Sequence, residues 1–199
     1  MNEEEPGRRE RKKAATRRAI SDAAMELFLE RGFDAVTIKE VADRADVSPA
    51  TVYTHFPQKE ALVYDEDDSM REGLLAAVRG RPSGTSITDA LRGYFRAMID
   101  EDIEQGHEQQ RQAFEALIAA TPALQVYAEQ MWARHRAALA EEIAAELRRS
   151  PTDPTIRAYA RFALEVMVMI DSAGDPYAQV DAVYDLLDRG WAAFERGPR

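Results

Sequence analysis

Along the whole 199-residue chain apolar positions return every three to four residues, and no stretch alternates with a period of two. The pattern therefore reads as all-α. The first long helix carries Ile20, Ala23, Ala24, Leu27 and Phe28 on one face. Gly32 is expected to end it in a left-handed conformation, with Phe33 packing back on its last turn. Thr37 and Glu40 stand at capping-box spacing and open a short helix with Val41, Ala42 and Ala45 inward. Asp46-Val47 makes a turn. Ser48 then caps a third helix, with Pro49 at its first position, where a missing N–H costs nothing. That helix runs to about Phe56 and is stopped by Pro57, and a fourth begins near Lys59.

The later segments are longer and predict helices over 59–79, 86–105, 107–120, 122–149, 154–173 and 177–195. Gly80 to Gly84, Gly106, Thr121-Pro122, Ser150 to Pro154 and Ala173 to Pro176 separate them with ordinary turn chemistry. The segment 154–173 is apolar nearly all round. Ile156, Ala160, Ala163, Met167 and Ile170 lie on one side, and Phe162, Val166, Met169 and Ala173 on another, so both sides should be covered. The last segment shows Val180, Val183, Leu187, Trp191 and Phe194, with Gly190 permitting close approach. Periodicity alone allows these to be the core of a monomer.

The short pair 38–45 and 49–56 has the proportions of a helix-turn-helix. On its second helix Val52 and Phe56 face the core, which leaves Pro49, Ala50, Thr51, Tyr53, Thr54 and His55 on the other faces. None of these is formally charged, unlike an ordinary solvated helix face. Small residues let a helix sit deep in a major groove, where methyl groups touch thymine and hydroxyls reach base edges or phosphates. Lys39, Arg44 and Lys59 surround it, and Lys59 at a helix start can share a phosphate with free backbone N–H groups. The bland alternative is a three-helix bundle with a solvated rim.

Charge sharpens this picture once it is divided along the chain. The net charge is −10, but residues 8–18 hold seven basic groups against Glu10. Residues 1–60 are close to neutral, and the acidic excess lies behind them. Residues 1–10 read as disordered. The absence of cysteine removes disulfides, thiolate metal sites and cysteine nucleophiles, and fits a reducing cytosol. No apolar run reaches the ~18–20 residues of a membrane span, and no secretory signal is visible. A cytoplasmic, non-membrane protein is expected.

The segment from Phe28 to Leu62, with its Gly32-Phe33 corner, Thr37-capped helix, Val47-Ser48 turn, Tyr53-Thr-His-Phe56 and Lys59-Glu-Ala-Leu62, resembles the DNA-binding domain of the TetR/AcrR family. The resemblance covers about residues 14–64. By position it implies phosphate contacts from Thr37, Thr51, Tyr53, His55 and Lys59. Ser48, Pro49, Ala50 and Thr54 would lie nearest the bases. Two departures stand out: Gln58 replaces a small capping residue, and the recognition helix carries no Lys or Arg.

The resemblance implies an all-α fold: an N-terminal three-helix helix-turn-helix domain followed by a six-helix ligand-binding and dimerisation domain. The divisions would be a flexible basic arm at 1–13, the DNA-binding domain at 14–58 and the effector domain at 59–199. It implies a homodimer through 154–195, operator DNA as partner, and a small-molecule effector that releases the DNA. Polar or soft groups on apolar faces supply the effector candidates: Tyr94, Met98, Phe114, Tyr127, Met131, His135, Glu165 and Met169. Each taken alone is equally an ordinary core residue. Glu165 interrupts an apolar run and should be paired, for instance with Arg161, or face a pocket or the dimer seam.

No cofactor or metal is expected, and Asp65 to Asp68 reads as a solvated face of the fourth helix. An enzyme is disfavoured because the three histidines, His55, His107 and His135, form no catalytic or ligand spacing and no phosphate loop occurs. An activator, or a ligand-independent regulator of the same fold, is the alternative. A fourth helix running unbroken over 59–79 would transmit ligand binding by tilting and so change the spacing of the two recognition helices.

Overall fold

The computed structural model describes residues 7–106, 108–170 and 174–195, with the backbone alone at 108, 168 and 191–195. Nine α-helices occur among them: α1 (Arg8–Arg31), α2 (Ile38–Arg44), α3 (Pro49–His55), α4 (Asp67–Arg79), α5 (Ile87–Gln105), α6 (Glu108–Ala120), α7 (Pro122–Leu147), α8 (Pro154–Met169) and α9 (Pro176–Glu195). A 3₁₀ turn at Lys59–Leu62 follows α3. No strand occurs among the described residues. The chain divides into two compact units, Met1–Asp67 with Ala113–Tyr127, and Asp68–Gln112 with Ala128–Arg199.

In the first unit the local chemistry acts much as the sequence leads one to expect. Gly32 ends α1 at φ 83°, a region open mainly to glycine, although its ψ of 152° is extended instead of left-handed helical. The rings of Phe33 and Phe28 lie 5.0 Å apart. Thr37 and Glu40 close a reciprocal capping box, and Ser48 accepts from the Thr51 amide at the start of α3. Ile20, Ala24, Leu27, Phe28, Val41, Val52 and Phe56 form one core.

Three features of this unit differ from expectation. First, α1 reaches back to Arg8, so residues 8–13 are helical and are not part of an arm. Arg, Lys, Glu and Ala there are good helix formers, and Glu10 accepts from the Gly7 amide at 3.1 Å to close the first turn. Residues 1–6 of the expected arm lie outside the described residues.

Second, the fourth helix is broken. The 3₁₀ turn ends at Leu62 and α4 starts only at Asp67. Ala61, Leu62 and Val63 are buried and Tyr64 is half-buried. Four consecutive residues sweep about 300° around an α-helix, so one helix could not turn them all to the core. Gln58, as its identity suggests, offers no side-chain cap to this turn.

Third, the unit is completed from far along the chain. Leu117 of α6 and Leu124 of α7 are buried in the same core as the helix-turn-helix. Tyr64 stacks on Tyr127 at 5.3 Å, meets Phe114 edge-on at 5.9 Å, and donates its hydroxyl to the Leu124 carbonyl at 3.2 Å. Burial, with Tyr127 beside it, pushes the Tyr64 phenol up to about 12, so it stays a donor throughout the physiological range.

The second unit has its own core from α4, α5, α7, α8 and α9. Its α9 packs against both α5 and α8. The α5–α9 seam is antiparallel in a strict four-residue register: Arg92 pairs with Asp185 at 3.0 Å, Arg96 with Asp181 at 2.7 Å, and Tyr177 donates to Asp100 at 2.6 Å. Ser86 caps α5, and Gly106 ends it in the left-handed conformation. The two expected sides of α8 are redistributed. Val166, expected beside Phe162 and Met169, is buried with Ile156, Ala160 and Ala163 in the protomer core, while Phe162 and Met169 stay exposed. Ala173, His107 and the side chains of Trp191 and Phe194 lie outside the described residues. No described helix is long and apolar enough to cross a membrane.

Candidate nucleic-acid interface

Helix α3 presents one outward surface. Val52 and Phe56 are buried, Pro49, Ala50, Tyr53 and Thr54 are exposed, and Thr51 and His55 are half-buried. Ser48 and Thr37, the N-caps of α3 and α2, are exposed. Eight of the nine positions expected at DNA thus lie on α3 or at the caps of the pair. Several of their hydroxyls are occupied. Ser48 and Thr51 share a hydrogen bond at 2.8 Å, and Thr54 donates to the Ala50 carbonyl at 2.9 Å. These bonds hold χ1 in place and leave the hydroxyl oxygens with spare acceptor capacity. Tyr53, 54% exposed, is the one large side chain on this surface.

Lys59, the ninth position, behaves differently. Its ammonium donates to the Phe33 carbonyl and sits 4.2 Å over the Phe33 ring. Burial pushes it down from the ordinary lysine value, against the pull of Asp34, Glu60 and Glu40. In this arrangement Lys59 ties the α1–α2 corner to the turn after α3. The other two cations expected around the reading surface are also paired. Lys39 meets Asp43 at 2.7 Å, and Arg44 meets Glu26 at 2.9 Å and Glu30 at 3.8 Å. Exposed pairs of this kind are worth little, so a phosphate can compete for these side chains.

His55 is pushed below its ordinary value, first by burial and then by Arg17 and Lys13. The shift favours the neutral ring. Glu40 is held down at about 2 from 4.5 by the Thr37 backbone and hydroxyl and by Arg31. A carboxyl lowered on folding contributes stability that is complete above about pH 4.5 and is lost as pH falls toward 2. In Glu40→Gln the acid limb of a thermal-unfolding pH profile should accordingly be shallower than in wild type between pH 5 and 2. Parallel limbs would mean that the box does not hold the carboxylate.

The effector candidates fall into different surroundings. Phe114 and Tyr127 belong to the first unit, around Tyr64. In the second unit Tyr94 and Met98 are half-buried against the core, and Tyr94 donates to the Met70 carbonyl at 3.0 Å. Met131 and His135, one turn apart on α7, are buried, with Trp132 edge-on to His135 at 5.1 Å. Glu165 pairs with Arg161 at 3.6 Å, and Met169 is exposed. The structure therefore groups Tyr94 with Met98 and Met131 with His135. Glu165 and Met169 sit on an open face of α8. Among the described residues no His, Asp or Glu cluster is placed to hold a metal ion.

Sequence reasoning misses Arg17 and Tyr64. Arg17 reads as one more basic group of the N-terminus, yet it is half-buried and bonded inside the unit. A cation three residues before the buried Ile20 is the only trace of this in the sequence.

Residues 20–64 match the family described as bacterial regulatory proteins, tetR family, and residues 83–197 match the MftR C-terminal domain. The transcriptional regulator TcmR of Streptomyces glaucescens is 33% identical over 123 residues, 60% of this chain and 54% of TcmR. MftR of Mycobacterium tuberculosis, a regulator named for mycofactocin biosynthesis, is 28% identical over 67% of each chain. The chain spans about half the length of TcmR and two thirds of MftR. A TetR-family regulator from Streptomyces coelicolor shares the fold, with a TM-score of 0.63 at 20% identity over 98% of this chain and 99% of that one. With its helix-turn-helix in the first family match and more than half of its length in the second, the chain belongs to the TetR family of bacterial regulatory proteins.

Proposed function

We propose that this protein is a transcriptional repressor: a homodimer that binds operator DNA through α3 and releases it when a small molecule occupies the second unit. The observation that carries the DNA half is the α3 surface itself. Ser48, Pro49, Ala50, Tyr53 and Thr54 stand exposed, uncharged and mostly small on a helix capped at its start and buried along Val52 and Phe56. Such a surface fits a major groove and serves no solvated role. Non-specific affinity comes from elsewhere, chiefly the helical run Arg8–Lys13. The relatives TcmR and MftR are transcriptional regulators, which favours regulation over catalysis.

The effector half rests on family membership and on soft or polar side chains held by the second unit: Tyr94, Met98, Met131 and His135. The dimer half rests on Phe162, Met169 and Leu186, which leave apolar surface open on α8 and α9.

The test is selection of duplexes from a random-sequence pool by the full chain. A two-fold symmetric sequence is expected, with half-sites spaced by about 34–36 Å or a multiple. Removal of residues 1–13 should weaken binding to selected and random duplexes alike and flatten the salt dependence, by up to about 0.9 in slope for each phosphate that is no longer neutralised. Equal slopes for the full and truncated chains would exclude this segment from the phosphate contacts. A small molecule from a cell extract that binds the protein at saturation while DNA affinity stays constant would remove the effector half.

A further inference from the structure

Arg17 is the side chain of the basic N-terminal run that turns inward. Its Nη1 donates to the His55 carbonyl at 2.8 Å and its Nη2 to the Asp65 carbonyl at 2.9 Å. The guanidinium carbon lies 4.2 Å from the centre of the Phe56 ring, which is itself buried. His55 is the last residue of α3, so its carbonyl is one of the acceptors a helix terminus leaves without an internal partner. Phe56, extended at φ −135° and ψ 101°, takes the chain out of the helix into Pro57. Asp65 lies in the break between the 3₁₀ turn and α4. One planar fork thus spans the end of α3 and the segment that leads into α4.

From this geometry we infer that Arg17 is a positioning residue for DNA recognition: it fixes the C-terminal end of α3 against residue 65 and thereby sets how α3 enters the groove. This rests on the DNA-binding reading above. A phosphate role competes poorly, because one face of the guanidinium covers Phe56 and both Nη groups serve carbonyls. A planar fork directs two N–H groups at two separate carbonyls while lying flat on a ring; a lysine ammonium is compact and rotatable and cannot reproduce that fixed geometry. Arg17→Lys therefore separates geometry from charge.

The experiment measures binding of wild type, Arg17→Lys and Arg17→Gln to a duplex selected by the wild-type chain and to a random duplex, across a salt series, below the unfolding temperature of each. Both variants are expected to keep the wild-type salt slope on random duplex. Both should lose discrimination for the selected duplex by at least about tenfold, the loss that goes with one charge-assisted hydrogen bond. Wild-type affinity and selectivity in Arg17→Lys, with a slope lower by about 0.9 in Arg17→Gln, would overturn the inference in favour of a phosphate contact. A lower unfolding temperature with selectivity intact would overturn it in favour of mere stabilisation.

Should the variants not fold, spectra of ¹⁵N-arginine-labelled wild type decide. The Arg17 guanidinium signals should keep their free-protein positions when random duplex binds, and displacement of those signals would overturn the inference. Selection of no sequence by wild type would instead bring down the DNA reading, and this inference with it.

Discussion

Leu124→Ala is expected to destabilise the helix-turn-helix unit by about 2–5 kcal/mol and to weaken DNA binding in proportion, although the residue belongs to α7. Leu124 is fully buried in the core that holds Phe28, Val52 and Leu62. Truncation leaves a cavity which that core can only partly close, and the cost grows with the space left. The Tyr64 hydroxyl bonds the backbone carbonyl of residue 124, so that link survives the substitution and the loss reports packing. Hydrogen exchange is the appropriate measurement, because a chain of two units need not unfold in one step. Amides of α2 and α3 should lose protection together with those at the start of α7. Loss confined to residues 128–147 would show that the α6–α7 turn does not stabilise the reading head.

Phe162→Asp is the second substitution with a large expected effect, and it acts without disturbing the protomer. Phe162 is 56% exposed, and Met169, two turns on along the same face of α8, is 54% exposed; on α9 Leu186 is 73% exposed. Gly190 adds to this, since a Cβ there would meet nothing within 4 Å among the described residues. Large apolar side chains on neighbouring helices form the kind of patch that a partner covers. Were this face covered in an isologous interface, a carboxylate at 162 would be desolvated in both copies. Dimers should give way to monomers in sedimentation equilibrium, with circular dichroism and unfolding temperature near wild type. Affinity for a selected duplex should fall on the order of 10²–10⁴-fold, because each recognition helix then binds alone. A variant that stays dimeric would place the interface elsewhere.

These two residues mark the limits of what can be read along the chain. Phe162 is visible as one of a second apolar side on its helix, but Val166 of the same side goes to the protomer core. Periodicity reports that a position is apolar and on which face it lies; it does not report whether the covering atoms come from the same chain. Leu124 is invisible as part of the reading head. Its pattern belongs to a long helix that otherwise serves the second unit, and nothing local tells one end of such a helix from the other. The effector candidates show the same limit. Phe114 and Tyr127 read as pocket candidates in the sequence, which does not show that Tyr127 stacks on Tyr64 and Phe114 meets it edge-on.

The caps and corners are legible because their chemistry is contained within three or four residues. Thr37 with Glu40, Ser48 with Pro49, and Gly32 before Phe33 each satisfy backbone groups at a helix end, and few other residues do so. Together with the spacing of Val41, Val52 and Phe56, they determine the helix-turn-helix and its uncharged outer face without reference to any distant residue. Tertiary structure decided the rest. It broke the fourth helix, because residues 61–64 all turn toward the core. It turned Lys59 and Arg17 inward, where carbonyls and rings hold a cation in place of solvent. It also brought Leu117 and Leu124 under the reading head. Charge and hydrophobicity are properties of a residue, whereas the partner that satisfies them is a property of the fold.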